Sequence, residues 1–385
     1  MRIVVVGAGV LGSTIAVHLA ETGSEVTVVE RRWAGAGTSS TSYAWVNANG
    51  KEPESYFELN RRGLEAHAAL ARDGADWFCG NGHVEIAVDD AHSQHLHARV
   101  DRLQARNYGL RWLTEQQAVD LYPDLLVPKG HQAIAHFLPE GHVFPALYLA
   151  HMLGRARRAG VDLREHTTVT GFAPSGSGAT VQLEGGEHLH ADHVVVAAGR
   201  WTQHVAALAG GSVPLVDYAT PGDITVGYLW ETSPTPTRLP GLLTCPWINA
   251  RPDGGGRLLL QALDLDVTAS PATAVEVDGP VAQEMIRRLQ EVLLGTAGVQ
   301  LRRGVVGQRV MPADGRTIVG PVPEVPWLYA VATHSGVTLA PYLGRVIAEE
   351  VLGESHDLLD SFRPTRFSDG SELPALSQPR KPGEQ

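Results

Sequence analysis

The chain has 385 residues, 43% of them hydrophobic, and a formal net charge of −11. That length exceeds what one small core needs, so two domains are expected. An acidic chain without a basic run argues against nucleic acid and anionic membrane surfaces as partners. The two cysteines, Cys79 and Cys245, are too few for a disulfide framework or a four-thiolate metal site. Lysine occurs only at Lys51, Lys129 and Lys381, which disfavours Schiff-base chemistry. Met1 and Arg2 lead straight into a short apolar run, unlike a secretory signal, and no stretch approaches the ~18 apolar residues of a spanning helix. A cytoplasmic location is therefore expected.

Taken in chain order, residues 3–6 read as a buried strand, β-branched and uninterrupted. They run into Gly7-Ala8-Gly9-Val10-Leu11-Gly12, a G-x-G-x-x-G. Residues 13–22 have helical periodicity, Gly23 stops the helix, 25–29 form a second strand, and Glu30 closes it. In this pattern Gly7 permits the tight turn, Gly9 lets the backbone approach a pyrophosphate, and Gly12 lets helix and strand pack closely. The helix N-terminus offers unsatisfied N–H groups and partial positive charge to phosphates. Glu30 follows Gly12 by 18 positions, close to the spacing of about 20 expected for an acid that accepts from a ribose hydroxyl. These features together predict dinucleotide binding. Arg31 and Arg32 would suit a 2′-phosphate, but Glu30 would repel it, so an unphosphorylated ribose is preferred.

Residues 31–42 form a small, hydroxyl-rich loop suited to wrapping a pyrophosphate; a flexible linker is the alternative. Within the next segment, Trp45, Asn47 and Asn49 are read either as pocket residues or as a surface loop. Residues 161–169 read as a strand, and residues 191–201 as a buried strand ending in Ala198-Gly199. Residues 223–230 and 256–262 are β-rich runs joined by Pro/Gly turns. Near the end, a strand at 328–332 enters the turn around Gly336, and a helix is expected over about 339–351, again presenting its N-terminus to a polar or anionic group. The histidine groups 92/95/97 and 188/190/193 lack acidic or thiolate partners at ligand spacing, so no metal is expected. Residues 369–385 are read as a mobile polar tail.

Several stretches together resemble the D-amino-acid-oxidase-like superfamily of flavoproteins, which includes glycine oxidase, sarcosine oxidase and amino-acid dehydrogenases. They are the opening fingerprint with Glu30, the Gly37-Thr38-Ser39-Ser40 loop, residues 140–145 leading into a helix, and the Val195-Val196-Ala197-Ala198-Gly199 strand. Residues 307–320 match too, as does Ala332-Thr333-His334-Ser335-Gly336-Val337-Thr338-Leu339-Ala340-Pro341.

The resemblance implies an α/β protein with a Rossmann-like FAD-binding domain and a second, α+β substrate domain built on an antiparallel sheet. The first would use residues 1–84, 136–215 and 305–368, and the second 85–135 and 216–304. Besides Gly7, Gly9 and Gly12, the implied FAD contacts are Val10, Leu11, Glu30, Arg31, Thr38, Ser39, Ser40, Tyr43, Ala44, Trp45 and Val169. They continue through Ala198, Gly199, Trp201, His334, Ser335, Gly336, Val337, Thr338 and Leu339. Arg309 matches the arginine that holds the substrate carboxylate, with a structural salt bridge as its alternative. His334 is the implied polar group beside the flavin, with a loop histidine that only helps position the cofactor as its alternative.

The implied reaction is hydride transfer from the substrate Cα to flavin N5, leaving an imine that water hydrolyses. The implied partners are an amine or amino-acid substrate and oxygen or another electron acceptor, with the oligomeric state open. Neither cysteine aligns with the covalent attachment site of some relatives, so FAD is expected to be non-covalent. Phe144-Pro145 stands where relatives often have Asp-Pro, which weakens a reading of glycine or sarcosine as substrate. A 2-hydroxy acid or biosynthetic intermediate as substrate, and a flavin-binding subunit of a hetero-oligomeric dehydrogenase, remain alternatives.

Overall fold

A computed structural model describes residues 1–368 and Leu376; the rest of the expected tail lies outside the described residues. Strand Arg2–Val6 lies at the middle of a six-stranded sheet. On one side it pairs in parallel with Glu25–Val29, which pairs with Asp162–Arg164. On the other it pairs with His193–Val196, which pairs with Val325–Ala332. Ile318–Val322 closes that edge antiparallel. Because successive side chains in a strand face opposite ways, Ile3 and Val5 enter one core and Val4 and Val6 another. The first core is roofed by helices Val10–Glu21 and Gly336–Val351, which supply Ile15, Leu19, Leu343 and Ile347. A three-stranded antiparallel sheet, Val169–Ser175, Gly178–Leu183 and His188–Ala191, covers the other. With both faces covered, the central strands read as unbroken apolar runs.

Two local departures have clear causes. The strand expected over 161–169 is broken, because His166 takes a left-handed φ of 53°; Asp162–Arg164 ends and Val169–Ser175 begins on either side. The last helix starts at Gly336 rather than 339 and carries Pro341 inside it. Proline has no N–H for the carbonyl four residues back. That carbonyl, Val337 O, instead accepts from His67 Nε2 at 2.9 Å.

The second large sheet has eight strands. In spatial order they are Leu301–Gln308, Val226–Thr232, Leu258–Gln261, Ile248–Pro252, Leu242–Cys245, His83–Ala87, Ala133–Phe137 and Leu110–Trp112. Only the pairing of Leu242–Cys245 with His83–Ala87 is parallel. The sheet thus combines segments from both expected insertions, and the expected boundaries near 84, 135 and 304 fall inside its strands. Helix Pro280–Val292 packs Met285 and Leu289 onto Leu243, Ile248 and Leu260. A small sheet of Trp45–Val46, Gly141–Val143 and Phe78–Cys79 lies between the larger ones in the chain's course and buries Trp45. Among the described residues no helix is long and apolar enough to cross a membrane.

Helix Asp90–Ala105 is tied to the eight-stranded sheet by a buried ion pair between Arg99 and Glu85, with His92 Nε2 2.9 Å from the same carboxylate. Burial alone would raise the Glu85 carboxyl, but Arg99 and the His92 bond outweigh it and hold it at about 2. Its folded pKa thus lies below the unfolded value of about 4.3. The stabilisation is complete at neutral pH and is lost as pH falls through about 4 toward 2. Glu85→Gln is expected to lower the unfolding free energy by about 3 kcal/mol at pH 7, because Arg99 loses its carboxylate. In urea denaturation the gap to the parent chain should close on acidification; a gap that widens would contradict this.

Candidate active site

A long cleft, with about 1950 Å³ of atom-free space partly open to solvent, runs from the carboxyl ends of the parallel strands to the face of the eight-stranded sheet. This is where open α/β sheets bind ligands. At one end lies the glycine turn. Gly7 has φ 106°, and a Cβ there would sit 2.6 Å from Ala197 O. A Cβ on Gly12 would meet Gly7 O at 1.9 Å, so the helix lies against the turn closer than any side chain allows. Ser39 folds over this end, its Oγ accepting from Val10 N at 3.1 Å. The Glu30 carboxylate is fixed by two backbone donors, Ala8 N at 3.0 Å and Arg32 N at 2.9 Å. The Trp201 ring lies beneath Arg31 and Arg200, whose guanidinium carbons stand 4.6 and 3.7 Å from its centroid. Burial, with help from Arg31 and Arg32, lowers Arg200 to about 10.

At the other end the turn Thr333–Gly336 and the start of the last helix face the cleft. Ser335 N donates to Thr333 Oγ1 at 3.1 Å, and Ser335 Oγ shares a 3.0 Å bond with Tyr56 OH. Thr338 Oγ1 donates to Trp45 O at 3.2 Å, tying the helix to the Trp45 strand. The Trp45 indole is held from behind by the fully buried Glu140, which accepts from Trp45 Nε1 at 2.9 Å and from Tyr108 OH at 3.0 Å. His83 Nδ1 lies 3.2 Å from the same carboxylate.

Of the residues expected at the cofactor, all but three line this cleft. Gly12 is the packing contact behind the turn. Ser40 is exposed, its Oγ donating to Gly37 O at 3.0 Å. Leu339 is fully buried in the core of the six-stranded sheet, because the helix begins a turn earlier than expected and points that position inward. Arg309 and His334 both line the cleft. Arg309 is also part of an ion pair: Nη2 donates to Asp266 Oδ2 at 3.1 Å, while Nη1 donates to Ile224 O at 3.3 Å and to Val226 O. A guanidinium has five N–H donors, so Nε and the second Nη2 hydrogen remain for a ligand. Both the anchoring role and the salt-bridge alternative thus have a geometric basis.

The Trp45–Asn49 segment is buried and not a surface loop; Trp45 and Asn47 line the cleft, whereas Asn49 does not. Sequence reasoning gave no role to Lys51 or Gln261, which line it too. Lys51 is 5% exposed, with Nζ 5.8 Å from the Tyr56 ring centroid. Its only sequence signal was scarcity, since a charged residue beside Gly50 reads as solvated loop. The histidine groups do not converge: His92 turns to Glu85, and His190 to Thr180 at 3.1 Å. Among the described residues, the group able to offer three ligand atoms is instead Glu349, Glu354 and His356, a partly exposed set at a helix end.

A sequence model of the FAD dependent oxidoreductase family matches residues 2–350. The chain belongs to that family. It is 25% identical over 378 residues to a glycine oxidase of Bacillus licheniformis, covering 94% of this chain and 96% of the relative. It is 28% identical over 367 residues to a 4-methylaminobutanoate oxidase (formaldehyde-forming) of Paenarthrobacter nicotinovorans, covering 91% of this chain and 44% of that longer protein. The crystal structure of glycine oxidase from Geobacillus kaustophilus superimposes with a TM-score of 0.83 at 23% identity, covering 95% of this chain and 99% of that one, which establishes a shared fold. The protein is an FAD-dependent oxidoreductase.

The cleft fits that cofactor. The side-chain-free surface of the glycine turn leaves room for a pyrophosphate, and the fixed Glu30 carboxylate would offer acceptors to an adenosine ribose. Cys79 and Cys245 lie outside the cleft lining, and burial pushes the Cys245 thiol up to about 12. Acid precipitation is therefore expected to release all the yellow colour, and Glu30→Gln to weaken FAD binding by about tenfold, the value of one charged hydrogen bond. Colour retained on the precipitate, or unchanged affinity in fluorescence titration, would contradict these assignments.

Proposed function

We propose that the protein oxidises the C–N bond of an amino acid or secondary amine, giving an imine that water hydrolyses. Bound FAD supplies the electron sink, taking a hydride equivalent from the carbon next to nitrogen. The observation that carries this reading is Arg309, a cation facing the cleft at the end remote from Glu30, with two N–H groups left after its bonds to Asp266, Ile224 and Val226. A planar guanidinium presents parallel donors to a carboxylate. The names of the two relatives support an amine or amino acid over other donors.

The chain's own groups orient and enclose. Trp45, fixed by Glu140, and Leu229 from the eight-stranded sheet supply apolar walls that exclude water. His334 and the first-turn N–H groups of Gly336, Val337 and Thr338 would steady negative charge at the opposite wall. Such chemistry relies on orientation and a dry pocket more than on a dedicated base.

The decisive experiment adds amino acids, secondary amines and 2-hydroxy acids anaerobically while following absorbance at ~450 nm, a property of the flavin. Bleaching by an amine or amino acid is expected; bleaching by a 2-hydroxy acid alone would overturn the reading. Arg309→Ala is expected to raise KM by about 100-fold for a carboxylate substrate while FAD stays bound. The double variant with Asp266→Asn, which removes the charge that Arg309 balanced, should show the same rise. An unchanged KM would leave Arg309 a structural ion pair.

A further inference from the structure

A second cavity, with about 740 Å³ of atom-free space partly open to solvent, adjoins the cleft at the eight-stranded sheet. Ser39, Thr41, Ser42 and Leu229 line both, so the two spaces meet along one turn of chain and one leucine. The register of the sheet places them on a single surface. Strands Val226–Thr232 and Leu301–Gln308 are antiparallel, with Gly227 opposite Gly307, Leu229 opposite Val305 and Glu231 opposite Arg303. Alternate residues of a strand share a face, so these three pairs form one row. The residues between them face the other way: a Cβ on Gly304 would meet the Trp230 ring, in the core that helix Pro280–Val292 covers.

The row changes character along its length. At Gly227 the missing side chain makes room for Arg309, whose Nη2 a Cβ there would overlap. Leu229 and Val305, with Leu259 from the next strand, form an apolar middle. Glu231 and Arg303 end the row in the second cavity. Four residues of antiparallel strand separate the two ends, about 14 Å.

The far end carries an uncompensated cation. Arg303 stands directly opposite Glu231, an arrangement in which opposite charges ordinarily attract. The Glu231 carboxylate instead lies 3.3 Å from Arg257 Nε, and Asp253 accepts from Arg251 Nη1 at 2.9 Å. Two carboxylates thus answer two of three guanidinium groups. The Arg303 guanidinium has no ion-pair or hydrogen-bond partner among the described residues, and the side chain is exposed, so its donors are within reach of a ligand.

We infer that the second cavity is a subsite for a second carboxylate of the substrate, held by Arg303, with the apolar middle of the row carrying the chain between the two acid groups. The substrate class is then an amino acid or secondary amine whose arm ends in a carboxylate. This rests on Arg309 anchoring the first carboxylate, as proposed above. An exposed cation contributes a modest factor to binding, so the subsite selects among substrates and does not drive turnover.

The test compares adipate with hexanoate, chains of equal length that differ in the second carboxylate, as ligands of the FAD-loaded protein followed by perturbation of the flavin spectrum. Arg303→Gln is expected to weaken adipate about fivefold and leave hexanoate unchanged. Malonate, too short to span the row, should be unaffected. Arg303→Lys keeps the charge and should retain most of the adipate affinity, and added salt should shrink the difference between the parent chain and Arg303→Gln. Adipate affinity that Arg303→Gln does not change, or a loss shared equally by hexanoate or malonate, would overturn the inference. If the Arg303-dependent selectivity appears but no amine or amino acid bleaches the flavin, the subsite stands and the proposed reaction fails.

Discussion

The contact on which the rest of the molecule depends is the approach of the first helix to the first turn. Gly12 lies so close to the Gly7 carbonyl that a single methyl group would overlap it. This closeness brings the helix N-terminus directly over the carboxyl end of the central strand. It exposes the backbone of Gly9, Val10 and Leu11 to the cleft and sets the distance to Glu30 across one strand pairing. The later elements are arranged around that point. Ala197 closes on Gly7 from the neighbouring strand, and Ser39 folds over Val10. The last helix lies beside the first, where a Cβ on Gly344 would meet Thr14.

A second constraint fixes the other end. The cleft is closed by a sheet assembled from distant segments, whose surface toward the cleft carries Gly227, Leu229, Gln261 and Gly307. Small residues there make room; Gly227 in particular leaves space for the Arg309–Asp266 pair. The pair in turn uses carbonyls of the same strand region, so the cation is positioned by backbone as well as by Asp266, itself buried and fixed by Tyr228 N at 2.8 Å.

How much of this was legible in the sequence follows from the range of the interactions. The glycine turn, Glu30 and the strand before them are local, and their spacing alone marked the end of the cleft where the dinucleotide is expected. The Ala198-Gly199 and His334–Thr338 turns carried similar local signals. The roof was a different matter. Gln261 sits in an apolar run whose facing depends on pairing with residues near 230 and 250, and no short window reveals that register. Asp266 lies 43 positions from Arg309, so their ion pair was open as an idea but without a named partner. The last helix was expected from about 339 but begins at Gly336, and His67, from a distant helix, supplies the bond that lets it run through Pro341. Lys51 was buried by packing against Tyr56, a contact with no signature in composition.

The central claim is that the glycine turn and Glu30 grip the adenosine half of the cofactor, leaving the roofed end for the reacting half. Titrating the flavin-free protein with FAD and with FMN tests it most directly, because FMN lacks the adenylate. The account predicts one FAD per chain and an affinity for FMN lower by at least about a hundredfold, the value of two or more charged contacts. Equal affinity for the two nucleotides would contradict it.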